Sequence, residues 1–331
     1  MNTKTQKINE QPSDDELPIE RELPLKEKIL NYSVALLLSL VGKLPNNAQR
    51  SLAIGFAKIY CFIPTVDRTV TFLQLKRFLG IKEPAQIATK VFYNAAMTLF
   101  ESADFSRILN RHHEMIIPED SELVDLICSN KEPVLVLTGH FGNWELFAAY
   151  LVRRGCNLSA IGRKGRREAF QNALVKIREG WGVKTIWRED DLQSTQNSRA
   201  IIKLFKTPGV IGGLIDQDTF VTSLPIEFFG EKVATPSSLA EIALRFNVKI
   251  LLGIMIRQSD SKFLLRLKSP SEQSDVKKIL TEYSLFMEEN IKEHPEQWVW
   301  FHKRWRTTAN GYRRSRQEYL KYLTETSNEN R

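Results

Sequence analysis

The sequence predicts an α/β fold in which a mainly parallel sheet is flanked by helices, after an N-terminal helical region. From about residue 130 onward, short apolar runs alternate with amphipathic stretches of helical length, a pattern typical of parallel β-α units. The first run, residues 132–140, is almost continuously apolar through Thr138, as in a strand buried on both faces. Glycines such as Gly155 and Gly182 follow the helical stretches and mark where those helices end.

The elements can be predicted in order along the chain. Residues 47–111 carry apolar side chains at helical spacing, so we expect helices there. Downstream, short apolar runs predict strands and the periodic stretches between them predict helices. The predicted strands are 132–140, 157–163, 184–190, 210–216 and 248–258, and the predicted helices are 143–155, 167–182, 197–209, 236–247 and 275–295.

Composition shifts divide the chain into four predicted parts: a disordered tail (1–24), an N-terminal helical membrane-associating region (25–115), an α/β domain (116–310) and a basic C-terminal helix or tail (311–331). Residues Ile29–Gly42 carry no charge, but as a helix they would be about 21 Å long, short of the roughly 30 Å hydrocarbon core. We expect a helix in one leaflet or on a membrane face. A buried helix of a soluble core is the alternative.

Charge and cysteine content restrict the partners. Lys+Arg 47 against Asp+Glu 39 gives a formal net charge of +8. That excess suits nucleic acid, a phospholipid surface or a phosphorylated substrate, although a basic enzyme without such a partner stays open. The most basic run, IGRKGRR at residues 161–167, is short and lacks interleaved aromatics, which argues against nucleic acid. Three widely spaced cysteines without a CxxC pair predict neither a disulfide framework nor a zinc site, and favour a reducing compartment.

The strongest catalytic signal is GHFGNWE, where a predicted strand becomes a helix. Reacting groups in open α/β sheets gather beyond the carboxyl ends of the strands, and His140 lies there. Gly142 and Asn143 provide a bend and an N-cap, so Glu145 in the first helical turn is expected to fold back toward the imidazole. A carboxylate on one ring nitrogen leaves the other free to take a proton from a hydroxyl. The alternative is a histidine that caps the helix.

Two further strand ends carry polar residues. Asp216, Gln217 and Asp218 follow the predicted strand 210–216, and could bind a cation, orient Arg163 or His140, or form a polar turn. A basic loop after the second strand suits a phosphate or a developing oxyanion, with a solvated loop as the alternative. Its residues are Arg163, Lys164, Arg166 and Arg167.

Four sequence blocks, taken together and in order, resemble the bacterial lipid A biosynthesis acyltransferases, the late lauroyl/myristoyl transferases of the lysophospholipid acyltransferase-like superfamily. The resemblance runs from roughly residue 30 to 310. The blocks are GHFGNWEL, IGRKGRREAFQNALVKIREGWGVKTIWR, GVIGGLIDQD with IEFFGEKVATPSSLAEIALRFNVKILLG, and HPEQWVWFHKRWR.

The resemblance implies transfer of an acyl group from acyl-acyl carrier protein to a hydroxyl of a lipid A precursor. It places the enzyme at the cytoplasmic face of the bacterial inner membrane, in contact with phospholipid, and implies neither a metal nor an organic cofactor. In the HxxxxE motif, His140 matches the family's general base and Glu145 the acid that orients it. The positions assigned to substrate or oxyanion binding are Arg163, Asp216, Gln217 and Asp218.

The sequence therefore predicts a membrane-associated O-acyltransferase with a His-Glu pair. One alternative keeps the chemistry but acylates another glycolipid or a phospholipid, from acyl-CoA or acyl carrier protein. A second is a lipid-binding protein that keeps the fold without turnover.

Overall fold

The computed structural model describes Ser33 and residues 36–163, 168–188, 195–218, 222–258 and 262–325. The predicted tail 1–24, much of the apolar segment Ile29–Gly42 and the basic residues Lys164, Arg166 and Arg167 lie outside the described residues.

A seven-stranded sheet forms the centre of the described chain. Its spatial order is β1-β9-β8-β2-β5-β3-β4. Each neighbouring pair within the series β8, β2, β5, β3 and β4 is parallel. Strand β9 is antiparallel to β8 and parallel to β1. The strands are β1 (Ile116–Pro118), β2 (Pro133–Thr138), β3 (Leu158–Arg163), β4 (Lys184–Arg188), β5 (Gly209–Leu214), β8 (Lys249–Arg257) and β9 (Phe263–Lys268).

Helices connect the strands and cover the sheet. Strand β2 is buried from its second residue onward, as its apolar sequence predicts. Side chains cap several helices: Asp120 accepts from the backbone of Leu123, and Asp275 from that of Lys277. The helices of this part are α7 (Ser121–Cys128), α8 (Trp144–Arg153), α9 (Glu168–Gly180), α10 (Thr195–Leu204), α11 (Ser238–Arg245) and α12 (Val276–Glu293).

An N-terminal group of helices precedes β1. Helices α2 and α4 pack together around Ala53, Ala96 and Met97. In the part of the chain that the structure describes, no helix is both long and apolar enough to cross a membrane. The helices are α1 (36–43), α2 (Asn46–Phe62), α3 (Val66–Leu79), α4 (Ala85–Ser102), α5 (Ser106–Leu109) and α6 (His112–Met115).

The C-terminal segment returns across the molecule and forms an aromatic core. Trp298, Trp300 and Trp305 are almost fully buried, and Phe228 of a separate hairpin stacks among them. The hairpin joins β6 (Ser223–Phe228) to β7 (Glu231–Pro236). The last helix, α13 (Arg316–Glu325), packs on α3. This packing fixes residues 298–305 beside the end of β2.

The predicted fold class, a mainly parallel sheet flanked by helices, is confirmed. The structure also contains elements that we did not predict: β1, the antiparallel strand β9 and the hairpin β6–β7. The domain boundaries and the membrane association stay predictions.

The prediction that the cysteines form no disulfide framework is wrong for two of the three. Cys128 and Cys156 are bonded, with their Cα atoms 4.3 Å apart, and Cys61 is free. Cys128 is the last residue of α7 and Cys156 follows α8. The fold brings these ends together across a separation of 28 residues, and nothing in that spacing signals the contact.

Candidate active site

His140 and Asp216 meet because of the register between two parallel strands. Thr138, the last residue of β2, pairs with Leu214, the last residue of β5. His140 and Asp216 each follow two positions later, at the same edge of the sheet. The His140 backbone N–H donates to Asp216 Oδ2 at 2.8 Å, and the ring Nδ1 lies 2.8 Å from Oδ1. The carboxylate therefore holds both the backbone and the ring of the histidine.

Asp216 is a buried, ionised acceptor. Its side chain also accepts from Trp298 Nε1 at 3.0 Å. Burial by itself raises the pKa of Asp216. The charge of His140 and the hydrogen bonds from it have the opposite effect and outweigh burial, so the pKa of Asp216 lies well below its ordinary value. An ionised carboxylate only accepts hydrogen bonds, so Nδ1 of His140 carries the ring proton. In the neutral ring, Nε2 then holds a lone pair.

Gln217 links His140 to a second histidine. Its amide Nε2 lies 2.9 Å from Nε2 and 3.1 Å from Nδ1 of His140, and 3.1 Å from Nε2 of His302. Near-equal distances to both ring nitrogens of His140 place the amide beside that imidazole and not along its Nε2 lone pair, whereas one amide hydrogen can be donated to Nε2 of His302. This requires His302 to be neutral, with its own proton on Nδ1. Burial and the nearby charge of His140 lower the pKa of His302 to about 3, in agreement.

Glu145 does not bond the imidazole, contrary to the predicted His140–Glu145 pair. Its carboxylate accepts from Arg178 at 2.8 Å (Nε to Oε2) and 2.6 Å (Nη2 to Oε1), and from Trp144 Nε1 at 3.0 Å. The first turn of α8 directs Glu145 toward α9, which carries Arg178, while Asp216 occupies Nδ1 of the ring. The residue that orients His140 is Asp216.

Glu145 nevertheless contributes negative charge near the site. Its side chain is 7% exposed. Burial raises the pKa of Glu145, but Arg178, the hydrogen bond from Trp144 and the charge of His140 together lower it below its ordinary value. The carboxylate is therefore ionised and places a negative charge close to the site.

The bend between β2 and α8 is fixed from several sides. Gly142 has a φ of +57°, and a Cβ added there would lie 1.8 Å from the carbonyl oxygen of Met255. The same carbonyl accepts from the backbone of Asn143 at 3.0 Å. The side chain of Asn143 caps α8 by accepting from Leu146 at 2.9 Å. Only glycine suits position 142, as the predicted bend requires.

A partly apolar cavity of about 250 Å³ opens beside His140. Strands β3, β4 and β5 and helix α9 supply its described wall. The apolar lining comes from Ala160, Ile161, Leu174, Trp187 and Leu214, and the polar lining includes His140, Arg178, Gln171, Gln217 and Asp218. The ring that carries the lone pair thus faces a space that can hold an apolar chain.

The remaining predicted residues divide into two groups. Gln217 contacts His140, whereas Asp218 lines the cavity but uses its carboxylate to accept from the backbone of Thr307 at 3.1 Å and to pair with Arg313 at 3.0 Å. Asp218 therefore anchors the C-terminal segment. Arg163 ends β3 opposite Arg188, and its side chain lies outside the described residues.

Three residues of the site were not assigned from the sequence: His302, Arg178 and the Asp216-bonding Trp298. His302 and Trp298 lie in HPEQWVWFHKRWR, where a histidine among tryptophans was a usable signal. Arg178 looked like an ordinary basic residue near a helix end. Among the described residues, no group of three or more His, Cys, Asp or Glu side chains is arranged to hold a metal ion.

The fold places an imidazole, held by a buried carboxylate, at the strand ends next to a partly apolar cavity, an arrangement suited to general-base catalysis. The family model described as bacterial lipid A biosynthesis acyltransferase matches residues 20–307. The chain belongs to that family and is an acyltransferase, so the predicted family is confirmed and the non-catalytic alternative is set aside.

Among solved structures, the chain is similar to the 1-acyl-sn-glycerophosphate (LPA) acyltransferase PlsC from Thermotoga maritima. The identity is 12%, the TM-score is 0.35, and the match covers 81% of this chain and 99% of that one. A similarity at this level carries no argument about substrate or mechanism. No curated protein sequence matches the chain.

Proposed function

We propose that the protein transfers a fatty acyl chain from acyl-acyl carrier protein to a hydroxyl of a lipid A precursor. One observation carries the proposal: Nδ1 of His140 is bonded to the ionised Asp216, which leaves Nε2 as an acceptor beside the apolar cavity. Family membership supports the lipid A class of acceptor.

In the proposed reaction, the acceptor hydroxyl forms a hydrogen bond to Nε2 of His140. The imidazole removes the hydroxyl proton as the oxygen attacks the thioester carbon, and Asp216 stabilises the imidazolium that forms. Glu145 adds a second negative charge to the surroundings of the ring. General-base catalysis of this kind contributes about 10²–10⁴-fold to a rate.

The attack produces a tetrahedral intermediate with a negative oxygen. We assign the Gln217 amide, whose nitrogen lies 2.9 Å from Nε2 of His140, to support that oxygen as an N–H donor. When the intermediate collapses, the C–S bond breaks, the new C–O bond remains, and the imidazolium returns its proton to the departing thiolate. The apolar lining of the cavity beside His140 receives the acyl chain.

We also propose that the enzyme works at the cytoplasmic face of the bacterial inner membrane, with α1 and α2 lying in the interface. An exposed apolar stripe at helical spacing supports this: Leu52, Phe56, Ile59 and Ile63, with Phe62 beside them at 87% exposure. Exposed Lys43 and Lys58 suit anionic head groups.

The membrane proposal is tested by flotation with anionic phospholipid vesicles. Ile59→Ser and Phe62→Ser change side chains that are already exposed, so the fold should survive while vesicle binding falls. Leu285→Ser, which alters an apolar residue on α12 that is about as exposed as Ile59 (59% against 63%), is the matched control and should still float. Equal flotation of all variants would reject the stripe as the docking surface.

The activity is tested by incubating the protein in detergent micelles with a panel of acyl-acyl carrier proteins and a tetra-acylated lipid A precursor. Mass spectrometry should detect the gain of one acyl group, and His140→Ala should abolish it. If only acyl-CoA donors, or only another glycolipid or a phospholipid acceptor, gave product, the acyltransferase would remain but the proposed substrates would be wrong.

A further inference from the structure

A second, basic cavity adjoins the catalytic one. It measures about 220 Å³ and shares two lining residues, Gln217 and Asp218, with the apolar cavity. The remaining described lining consists of Phe301, His302, Lys303, Arg306 and Arg313. The mechanism above assigns no role to the three basic residues.

Positive charge outweighs negative charge in this cavity. Its lining contains three cationic side chains and one carboxylate, Asp218, which is already bonded to Arg313 at 3.0 Å and to a backbone N–H. Arg306 donates its Nε to the carbonyl oxygen of Arg314 at 2.7 Å. Arg306 and Lys303 both line the cavity, and neither forms an ion pair among the described residues.

The lowered pKa of Lys303 agrees with an excess of positive charge around this cavity. Burial and the neighbouring Arg306 lower the pKa of the Lys303 ammonium, with smaller contributions from Arg316 and Arg313, and Asp67 only partly opposes them. Bringing an anion into the cavity would relieve this repulsion.

We propose that this cavity binds a phosphate group carried by one of the two substrates. Arginine presents several N–H donors to phosphate and lysine adds a compact charge. The proposal rests on the proposed function above and assigns a binding site within it. Two substrate phosphates have the required chemistry: a sugar phosphate of the acceptor and the phosphate of a pantetheine arm on the donor.

The basic cavity lies where a bound phosphate could position the substrate for reaction. Gln217 contacts both Nε2 of His140 and Nε2 of His302, and His302 lines the basic cavity. A phosphate held there lies one side chain away from the catalytic base. Binding it would position the rest of the substrate against His140, with the acyl chain in the apolar cavity.

The first arm of the test measures binding of soluble probes to the full-length protein in detergent by calorimetry. Glucosamine 1-phosphate is compared with glucosamine, and pantetheine 4′-phosphate with pantetheine. We expect one phosphorylated probe to bind more tightly than its phosphate-free counterpart. A hydrogen bond to a charged group is worth about 1.5–3 kcal/mol, so Arg306→Gln should weaken that probe roughly tenfold to hundredfold.

One variant guards against misfolding and one controls for charge. Lys303→Gln removes an ammonium that has no ion pair among the described residues, so it should fold even if Arg306→Gln does not. Arg245→Gln, at an exposed position near the end of α11 that lines neither cavity, makes the same change in net charge and should leave probe binding unchanged.

The second arm measures steady-state kinetics and identifies the source of the phosphate. A rise in KM for the acceptor alone assigns the cavity to the sugar phosphate, and a rise for the donor alone assigns it to pantetheine phosphate. Unchanged probe binding and unchanged KM values in folded Lys303→Gln and Arg306→Gln would overturn the proposal. Phosphate-dependent binding in a protein without transferase activity would instead sink the proposed function and leave the cavity assignment standing.

Discussion

Asp216 holds His140 at two points: Oδ2 accepts the backbone N–H and Oδ1 accepts the ring Nδ1–H, both at 2.8 Å. One carboxylate thereby sets the position of the residue, the orientation of its ring and its tautomer. Because the two residues come from adjacent strand ends, this geometry belongs to the sheet itself. The relationship makes Asp216, and not Glu145, the hydrogen-bond partner of the proposed catalytic base.

Neutral His302 should make the protein less stable in mild acid. Its pKa is about 3 in the folded protein and ordinarily near 6.5, so between these values the unfolded chain binds a proton that the native state excludes. The free energy of unfolding should therefore fall as pH decreases below about 6.5, by up to about 1.4 kcal/mol per pH unit. Asp216, whose pKa is also lowered, adds acid sensitivity only near pH 4 and below.

Denaturant unfolding of the wild type and His302→Gln from pH 7 to pH 4.5 measures this effect. The variant should lose less stability over that range. His113→Gln removes an exposed histidine and should retain the wild-type slope. Parallel curves for wild type and His302→Gln would show that His302 is not held neutral.

The Glu145–Arg178 pair should be coupled in stability. Both side chains are largely buried, at 7% and 18% exposure. Glu145→Gln leaves a buried guanidinium without its charge partner, which costs about 3–5 kcal/mol. The double variant Glu145→Gln/Arg178→Met should recover part of that loss, as a double-mutant cycle would show. Additive effects of the two changes would contradict the pairing. Glu114→Gln, which removes the exposed partner of Arg111, should leave stability unchanged.

Gly142→Ala should cost both folding stability and activity. The added Cβ meets the Met255 carbonyl at 1.8 Å, and the φ of +57° disfavours any side chain. Gly80 is the matched control, because its φ is +65° but nothing lies within 4 Å of an added Cβ. We expect Gly80→Ala to cost about 1 kcal/mol with activity retained. Comparable losses at both positions would mean that the contact with Met255 is unimportant.

Sequence periodicity predicted the parallel strands well, because a buried strand leaves a strong apolar signal. Strand β9 was missed because only alternate residues, Phe263, Leu265 and Leu267, are buried. This weaker signal comes shortly after the long apolar strand β8. The hairpin β6–β7 had a signal that we did not use. Its loop, Phe229-Gly230, has positive φ at both residues, as two-residue hairpin turns require.

The catalytic pairing could not be derived from local spacing. His140 and Glu145 are close in sequence, and that proximity suggested a pair. Asp216 is 76 residues away from His140, and only the register of β2 against β5 brings it there. Orientation of His140 by Asp216 was one of several alternatives that the sequence left open. The pairing of β2 with β5 in the structure selects it. The Cys128–Cys156 bond likewise depends on a tertiary contact, between the end of α7 and the residues that follow α8.

The most direct test of the account is the kcat of Asp216→Asn in acyl transfer, compared with His140→Ala and the double variant. Replacing the Asp216 carboxylate by an amide should leave His140 without its anionic partner. We expect kcat to fall by about 10²–10⁴-fold, with a smaller change in KM. The double variant should be no slower than His140→Ala, because the two residues act as a unit. A folded Asp216→Asn enzyme with wild-type kcat would contradict the account and return the orienting role to Glu145.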